Sequence, residues 1–221
     1  WAIVQLVAML VFAACTFAVT LRYARPKLLY STLWPTLAAS YIFGLGAVFF
    51  AIYENVDAVM LTKLLPGVRD EVMGQIGVYR TPYVLMMFTF TIPGAFIASM
   101  EPLIFAAKAE PPELARLAGL SNRGIGIIAA PLCLAIALLS RDIRALVFPR
   151  IDADAASILS ILTVYGFLRF MNFSSGMTMA AGGLQVRRVV FQAAAVGFNI
   201  AGNFFFILWI GIYGAAIMTV A

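Results

Sequence analysis

The chain has no histidine, only two cysteines and few charges, and each shortage removes a class of function. Without histidine, the side chain most used as general base, triad member and metal ligand is missing. Cys15 and Cys133 lie isolated in apolar segments, so neither a zinc site nor a disulfide between them has support, and both are expected to be small core residues. No glycine-rich phosphate loop with its lysine is present either, so the sequence points to no enzyme. Charged residues make up 11% of the chain and hydrophobic ones 63%, with mean hydropathy +0.99. A soluble domain is about 25% charged, so this composition predicts a polytopic membrane protein. The net charge of +5 does not indicate nucleic acid, because the basic residues sit mainly in short loops between apolar runs, as topology signals do.

Apolar runs cover Ala2–Leu21, Thr36–Leu64, Thr81–Ala107, Gly124–Ser140, Ala155–Gly182 and Val189–Ile210, and another starts at Gly214. A helix rises about 1.5 Å per residue and needs about 20 residues to cross a bilayer, so all but the fourth are long enough alone. They are too long, and too free of alternation, for barrel strands. The expected fold class is all-α: a polytopic transmembrane bundle of six spans plus a truncated one. Trp1 already stands inside an apolar run, without Met or a basic leader, and the run from Gly214 stops abruptly. Both ends look cut, as in a fragment of a longer transporter.

Loop charges set a weak orientation. Arg22, Arg25 and Lys27 place the first loop, Arg22 to Pro35, in the cytoplasm. Within it, Lys27–Trp34 is short and aromatic and reads as an interfacial elbow. Pro93-Gly94 is expected to bend the third span. Glu110-Pro111-Pro112-Glu113 is suited to start a helix, because proline is tolerated and acids are favoured in a first turn.

Helical spacing aligns the polar residues of the spans into stripes. Gln192, Asn199 and Asn203 share one face of the sixth span, and Tyr165, Arg169, Asn172 and Gly176 one face of the fifth. Ser40, Gly44, Ala47, Glu54 and Asp57 fall in one sector of the second, and Tyr83, Met87, Gly94 and Glu101 in one sector of the third. Facing inward together, these stripes enclose a polar cavity. Each has a plainer reading. The amides also serve as hydrogen-bonding glue between helices, and Gly44, Gly46, Gly94 and Gly176 as close helix contacts. Glu54 and Asp57 could reach interfacial water beside Lys63, and Glu101 could do so at its own helix end.

Arg169 is the sharpest feature. At mid-span an arginine costs about 2.5–3.5 kcal/mol even on the lenient insertion scale, so it must face water, a carboxylate or an anionic ligand. Its planar donor fork suits phosphate or carboxylate. A structural pair with Glu54, Asp57 or Glu101 is the alternative.

The run Asn55-Val56-Asp57-Ala58-Val59-Met60-Leu61-Thr62-Lys63-Leu64-Leu65, followed by Ile76-Gly77-Val78-Tyr79-Arg80, resembles a hallmark of polysaccharide flippases in the multidrug/oligosaccharidyl-lipid/polysaccharide transporter superfamily. Pro93-Gly94-Ala95, Glu101-Pro102-Leu103 and the tail Asn199, Asn203, Ile212-Tyr213-Gly214-Ala215-Ala216, Thr219 are similar to later family motifs. The polar loop Pro66–Gln75 is longer than the family's usual one. The resemblance implies a two-lobe transporter in the plasma (inner) membrane. Residues 1–35 would be the last helix of the first lobe with a cytoplasmic elbow, and residues 36–221 a second lobe truncated at its C-terminus. It implies that a lipid-linked oligosaccharide of polyprenyl-diphosphate type is flipped by alternating access. Arg169 would meet the diphosphate; Asn172, Gln192, Asn199, Asn203 and Tyr83 would complete the substrate site; Glu54, Asp57 or Glu101 would bind a coupling proton or sodium ion. Membrane lipid, glycosyltransferases and a polysaccharide polymerase would be its partners. The rival readings are a cation-coupled multidrug exporter, a membrane-embedded glycosyltransferase or acyltransferase, and a scaffold subunit without a cavity.

Overall fold

In a computed structural model, the chain is described over residues 2–23 and 30–220, and every regular element among them is helical. The helices are α1 (Ala2–Tyr23), α2 (Tyr30–Leu64), α3 (Arg69–Thr89), α4 (Thr91–Ala106), α5 (Pro111–Leu138), α6 (Ser140–Val147), α7 (Asp154–Ala181), α8 (Gln185–Ile210) and α9 (Ile212–Val220), with a 3-10 turn at Ala107–Ala109. Five helical stretches are long and apolar enough to cross a membrane: Leu33–Leu64, Arg69–Ala109, Pro111–Leu138, Asp154–Ala181 and Gln185–Ile210. In α1 the apolar stretch Leu10–Leu21 is shorter than these.

Several boundaries differ from the sequence reading, each for a local reason. The third span starts at Arg69 rather than Thr81, since Asp70 and Glu71 occupy the first turn of α3, where acids favour the positive helix end. Most of the segment Pro66–Gln75 is therefore helix and not loop. In place of the expected bend at Pro93-Gly94, the helix is interrupted at Phe90, between α3 and α4 and just before Pro93. Proline has no N–H to donate to the carbonyl of Thr89, and its ring crowds that oxygen, so the α-helix stops one turn upstream. Pro111 opens α5 and supplies the length that the fourth span lacked. Tyr30–Trp34 of the expected elbow are the first turns of α2, and Lys27–Leu29 lie outside the described residues. The short helix α6 was not expected.

The chain divides into two compact units, Trp1–Tyr41 and Ile42–Ala221, with the division inside α2. In the first, the Thr16 and Thr20 hydroxyls donate to the carbonyls of Phe12 and Thr16, both at 2.8 Å. Satisfying a hydroxyl on its own helix suits a segment in hydrocarbon. Cys15 is exposed there, contrary to expectation, while Cys133 in the second unit is buried.

In the second unit α7 is the hub, packed against α5, α3, α9, α4 and α6. Its buried side, with Ile158, Leu159, Leu162 and Phe170, shares a core with Tyr79, Met86, Ile125 and Ile207. Gly166 makes the α3 contact feasible, because a Cβ there would lie 2.2 Å from Met86 Cε. Ser174 Oγ donates to Ser121 Oγ at 2.9 Å, fixing α7 to α5 in the buried interior. The outer faces carry exposed apolar residues such as Ile127, Leu138, Phe205 and Trp209, which would be costly in water and suit hydrocarbon.

α8 and α9 form a tight antiparallel hairpin. Gly211 makes the turn at φ 63°, a region that favours glycine. Gly214 then lies so close to α8 that a Cβ would sit 2.2 Å from the Phe206 carbonyl oxygen. This contact brings the end of α9 back beside Asn199, whose Nδ2 donates to Met218 O at 3.0 Å.

Candidate functional site

Two carboxylates lie one turn apart on α2, both buried: Glu54 is 8% exposed and Asp57 4%. From Ile42 onward, α2 approaches the rest of the second unit with long side chains rather than with its backbone. These two acids are its main polar attachments.

Asp57 sits among neutral donors from three helices. Tyr79 Oη of α3 donates to Oδ2 at 2.9 Å, Thr219 Oγ1 of α9 to Oδ2 at 2.7 Å, and Asn203 Nδ2 of α8 to Oδ1 at 2.6 Å. Asn203 Nδ2 also donates to Asn199 Oδ1 at 2.9 Å, so the amides form a chain from Met218 O to Asp57. Asn203 Oδ1 is buried with no partner. A buried acceptor with nothing to accept is costly.

Glu54 has different company. Tyr83 Oη donates to Oε2 at 2.7 Å and Tyr165 Oη to Oε1 at 3.2 Å. Arg169 Nη2 stands 3.5 Å from Oε1, a loose ion pair, and Arg169 Nε is buried without a partner. The guanidinium lies over Phe50, 4.4 Å from the ring centroid, and 5.6 Å from that of Phe173. Arg80 caps this end by donating from Nη1 to the Glu54 backbone carbonyl at 3.2 Å.

The hydroxyls are held in place by stacking. Tyr79 and Tyr83 stack at 6.1 Å between centroids, Tyr83 and Tyr165 at 6.0 Å, and Tyr165 and Tyr53 at 6.5 Å. Tyr53 Oη completes the row by donating to Thr219 O at 2.8 Å. Each ring thus buries apolar area while its polar tip finds a partner.

In front of the Glu54–Arg169 pair, α2, α7 and α8 enclose an open cavity of about 620 Å³. Its walls include Phe43, Phe50, Arg169, Asn172, Phe173, Gly176, Gln185, Arg188 and Gln192. A second cavity of about 250 Å³ shares Phe50, Arg169, Asn172 and Gln192 and reaches Tyr53, Tyr165 and Thr219. Among the described residues, no acidic side chain lines either one.

No protein-family model, no curated protein and no solved structure matches this chain. The site is accordingly read from its own geometry.

Of the residues singled out from sequence, Arg169, Asn172 and Gln192 line the cavity. Tyr83, Asn199 and Asn203 do not; they are buried as partners of the two carboxylates and of the α9 backbone. The amide stripe therefore divides, with Gln192 at the cavity and the other two acting as interhelical glue. Glu101 joins neither group, being exposed on α4 beyond the break at Phe90. The pairing alternative for Arg169 and its cavity position coexist, since it touches Glu54 and borders open space. Gly46 and Gly176 are close contacts: a Cβ on Gly46 would lie 3.1 Å from Gln192 Oε1, and one on Gly176 would lie 3.2 Å from the Arg188 guanidinium. Gly44 and Gly94 meet nothing. Sequence reasoning missed Arg188, Gln185 and Tyr53. Arg188 falls among the basic residues that read as loop charges, although Gln185, Arg188 and Gln192 already stand at helical spacing.

Proposed function

We propose that the chain is the main part of one lobe of a membrane flippase that moves an anionic lipid-linked oligosaccharide of polyprenyl-diphosphate type across the plasma membrane by alternating access. The observation that carries this reading is a cavity lined by apolar and aromatic side chains whose polar groups, among the described residues, are arginines and amides without an acid, with buried Glu54 behind it paired to Arg169. Such a wall attracts an anionic head and repels a cationic one. A multidrug exporter calls for acidic and aromatic walls; the phenylalanines suit it, but the arginines in place of acids count against it.

On this reading Asp57 is the coupling site. Its surroundings offer oxygens from three helices: its own carboxylate, the unpartnered Asn203 Oδ1 and Thr219 Oγ1. Oxygen sets suit hard cations, and a single carboxylate among neutral ligands suits a proton or sodium ion better than a divalent metal. Among the described residues no cluster of three or more metal-ligating His, Cys, Asp or Glu side chains exists. Glu54, one turn along α2, connects that site to Arg169 at the cavity, so charge at Asp57 and anion at Arg169 are linked through one helix.

The test is replacement of Arg169 by alanine in the full-length protein. Export of the glycan is expected to disappear while the protein still inserts in the membrane. Normal export by the variant would refute the substrate role of Arg169 and with it the flippase reading.

A further inference from the structure

We infer that Arg188 is the first anion ligand of the cavity, and that with Arg169 it forms a two-point clamp selective for a diphosphate over a single phosphate. This rests on the anionic-substrate reading of the cavity but not on any transport step.

The two arginines are not equivalent. Arg169 already spends its charge on Glu54 at 3.5 Å and lies over Phe50. Arg188 lines the same cavity, is half-buried, and has no hydrogen bond or ion pair to any described residue. With no acid in the wall, its charge is unanswered. A half-buried, unpaired guanidinium is expensive unless a ligand or water meets it.

Its seat is built for it. A Cβ on Gly176 would lie 3.2 Å from both Cζ and Nη2 of Arg188 and 3.3 Å from Nε. The guanidinium therefore lies flat on the α7 backbone, with glycine leaving the room. Gly176 is seven residues beyond Arg169 on the same face of α7, about 10 Å along the axis. Between them Phe173, one turn from Arg169, draws that guanidinium toward the same opening. Two planar forks on one wall can each take a different phosphoryl group, whereas a single phosphate engages one fork only. Gln185 and Gln192 stand beside them with Oε1 buried and unpartnered; turned about, either amide would present donors instead.

Arg187 provides an internal control. It is next in sequence and equal in charge, but exposed and outside the cavity. A topology signal or a general attraction of anions would depend on both residues alike.

The experiment measures binding of inorganic phosphate, inorganic pyrophosphate and nanodisc-borne polyprenyl diphosphate to the purified full-length protein. Pyrophosphate is expected to bind more tightly than phosphate. R188Q should weaken it about tenfold or more and narrow the preference over phosphate, with R188K intermediate. R187Q should change nothing, and Glu54→Gln should tighten binding by releasing Arg169. Should R188Q lower the melting temperature, Gly176→Ala is the second probe: it displaces the guanidinium without altering charge and should reproduce the loss. Unchanged pyrophosphate binding in R188Q, or equal losses in R187Q and R188Q, would overturn the clamp. Tighter binding of the lipid-borne diphosphate than of pyrophosphate assigns the ligand to the membrane. Binding of pyrophosphate alone leaves the clamp standing with a soluble ligand and counts against the flippase. Absent export with intact, Arg188-dependent binding likewise removes only the flippase.

Discussion

Glu54 and Asp57 are the same chemistry one helical turn apart, yet one is enclosed by neutral donors and the other looks through an arginine toward open space. Asp57 is tied to α3, α8 and α9, and Glu54 to α3 and α7. The difference is one of division of labour: a closed polar network fixes helices to one another, and a half-open one leaves a charge available to a ligand. A carboxylate inside a membrane helix is thus explained by its neighbours rather than by its depth.

The contrast can be broken most severely from the closed side. Gly214→Ala would push a Cβ to 2.2 Å from the Phe206 carbonyl, a backbone atom that cannot swing away. α9 must lift from α8, carrying Thr219 from Asp57, and the full-length protein in detergent should lose about 3 kcal/mol or more in an unfolding titration. Asp57→Ala comes next. It removes the shared acceptor of Tyr79, Asn203 and Thr219, leaving Asn203 only Asn199 and Thr219 only the Ala215 carbonyl, and should cost about 2–4 kcal/mol by the same measurement. Asp57→Asn, which keeps the shape, should instead retain most stability and lose any sodium-dependent stabilisation. Glu54→Ala should cost less, about 1–2 kcal/mol, because Arg169 borders a cavity where water can solvate it. A larger loss for Glu54 than for Asp57 would invert the comparison. Glu101→Gln, on an exposed face, should stay within about 0.5 kcal/mol of the parent.

Much of this is legible in the sequence. Long apolar runs dictate helices, and the length of each run located α5, α7 and α8 to within a few residues or a few turns. The stripe on α7 pointed to the cavity because residues at that spacing must share a face. What was not legible depends on distance along the chain. Nothing local tells that Thr219 meets Asp57 or that Tyr165 meets Glu54, separated by 162 and 111 residues. Glu101 stands apart because α4 starts afresh after the break at Phe90, so helical spacing counted from Tyr83 does not carry across it. Arg188 is hidden for a different reason: it lies one residue before the apolar run Val189–Ile210, so the stripe of Gln192, Asn199 and Asn203 stops short of Gln185 and Arg188.

The hairpin at Gly211 has a bearing on how the protein is made. Asp57 enters the membrane 162 residues before Thr219. At a synthesis rate of about 5–20 residues per second, it waits roughly 8–30 s for α9 to arrive. Until then a naked carboxylate is held on a newly inserted helix with its principal α8 and α9 donors still unmade.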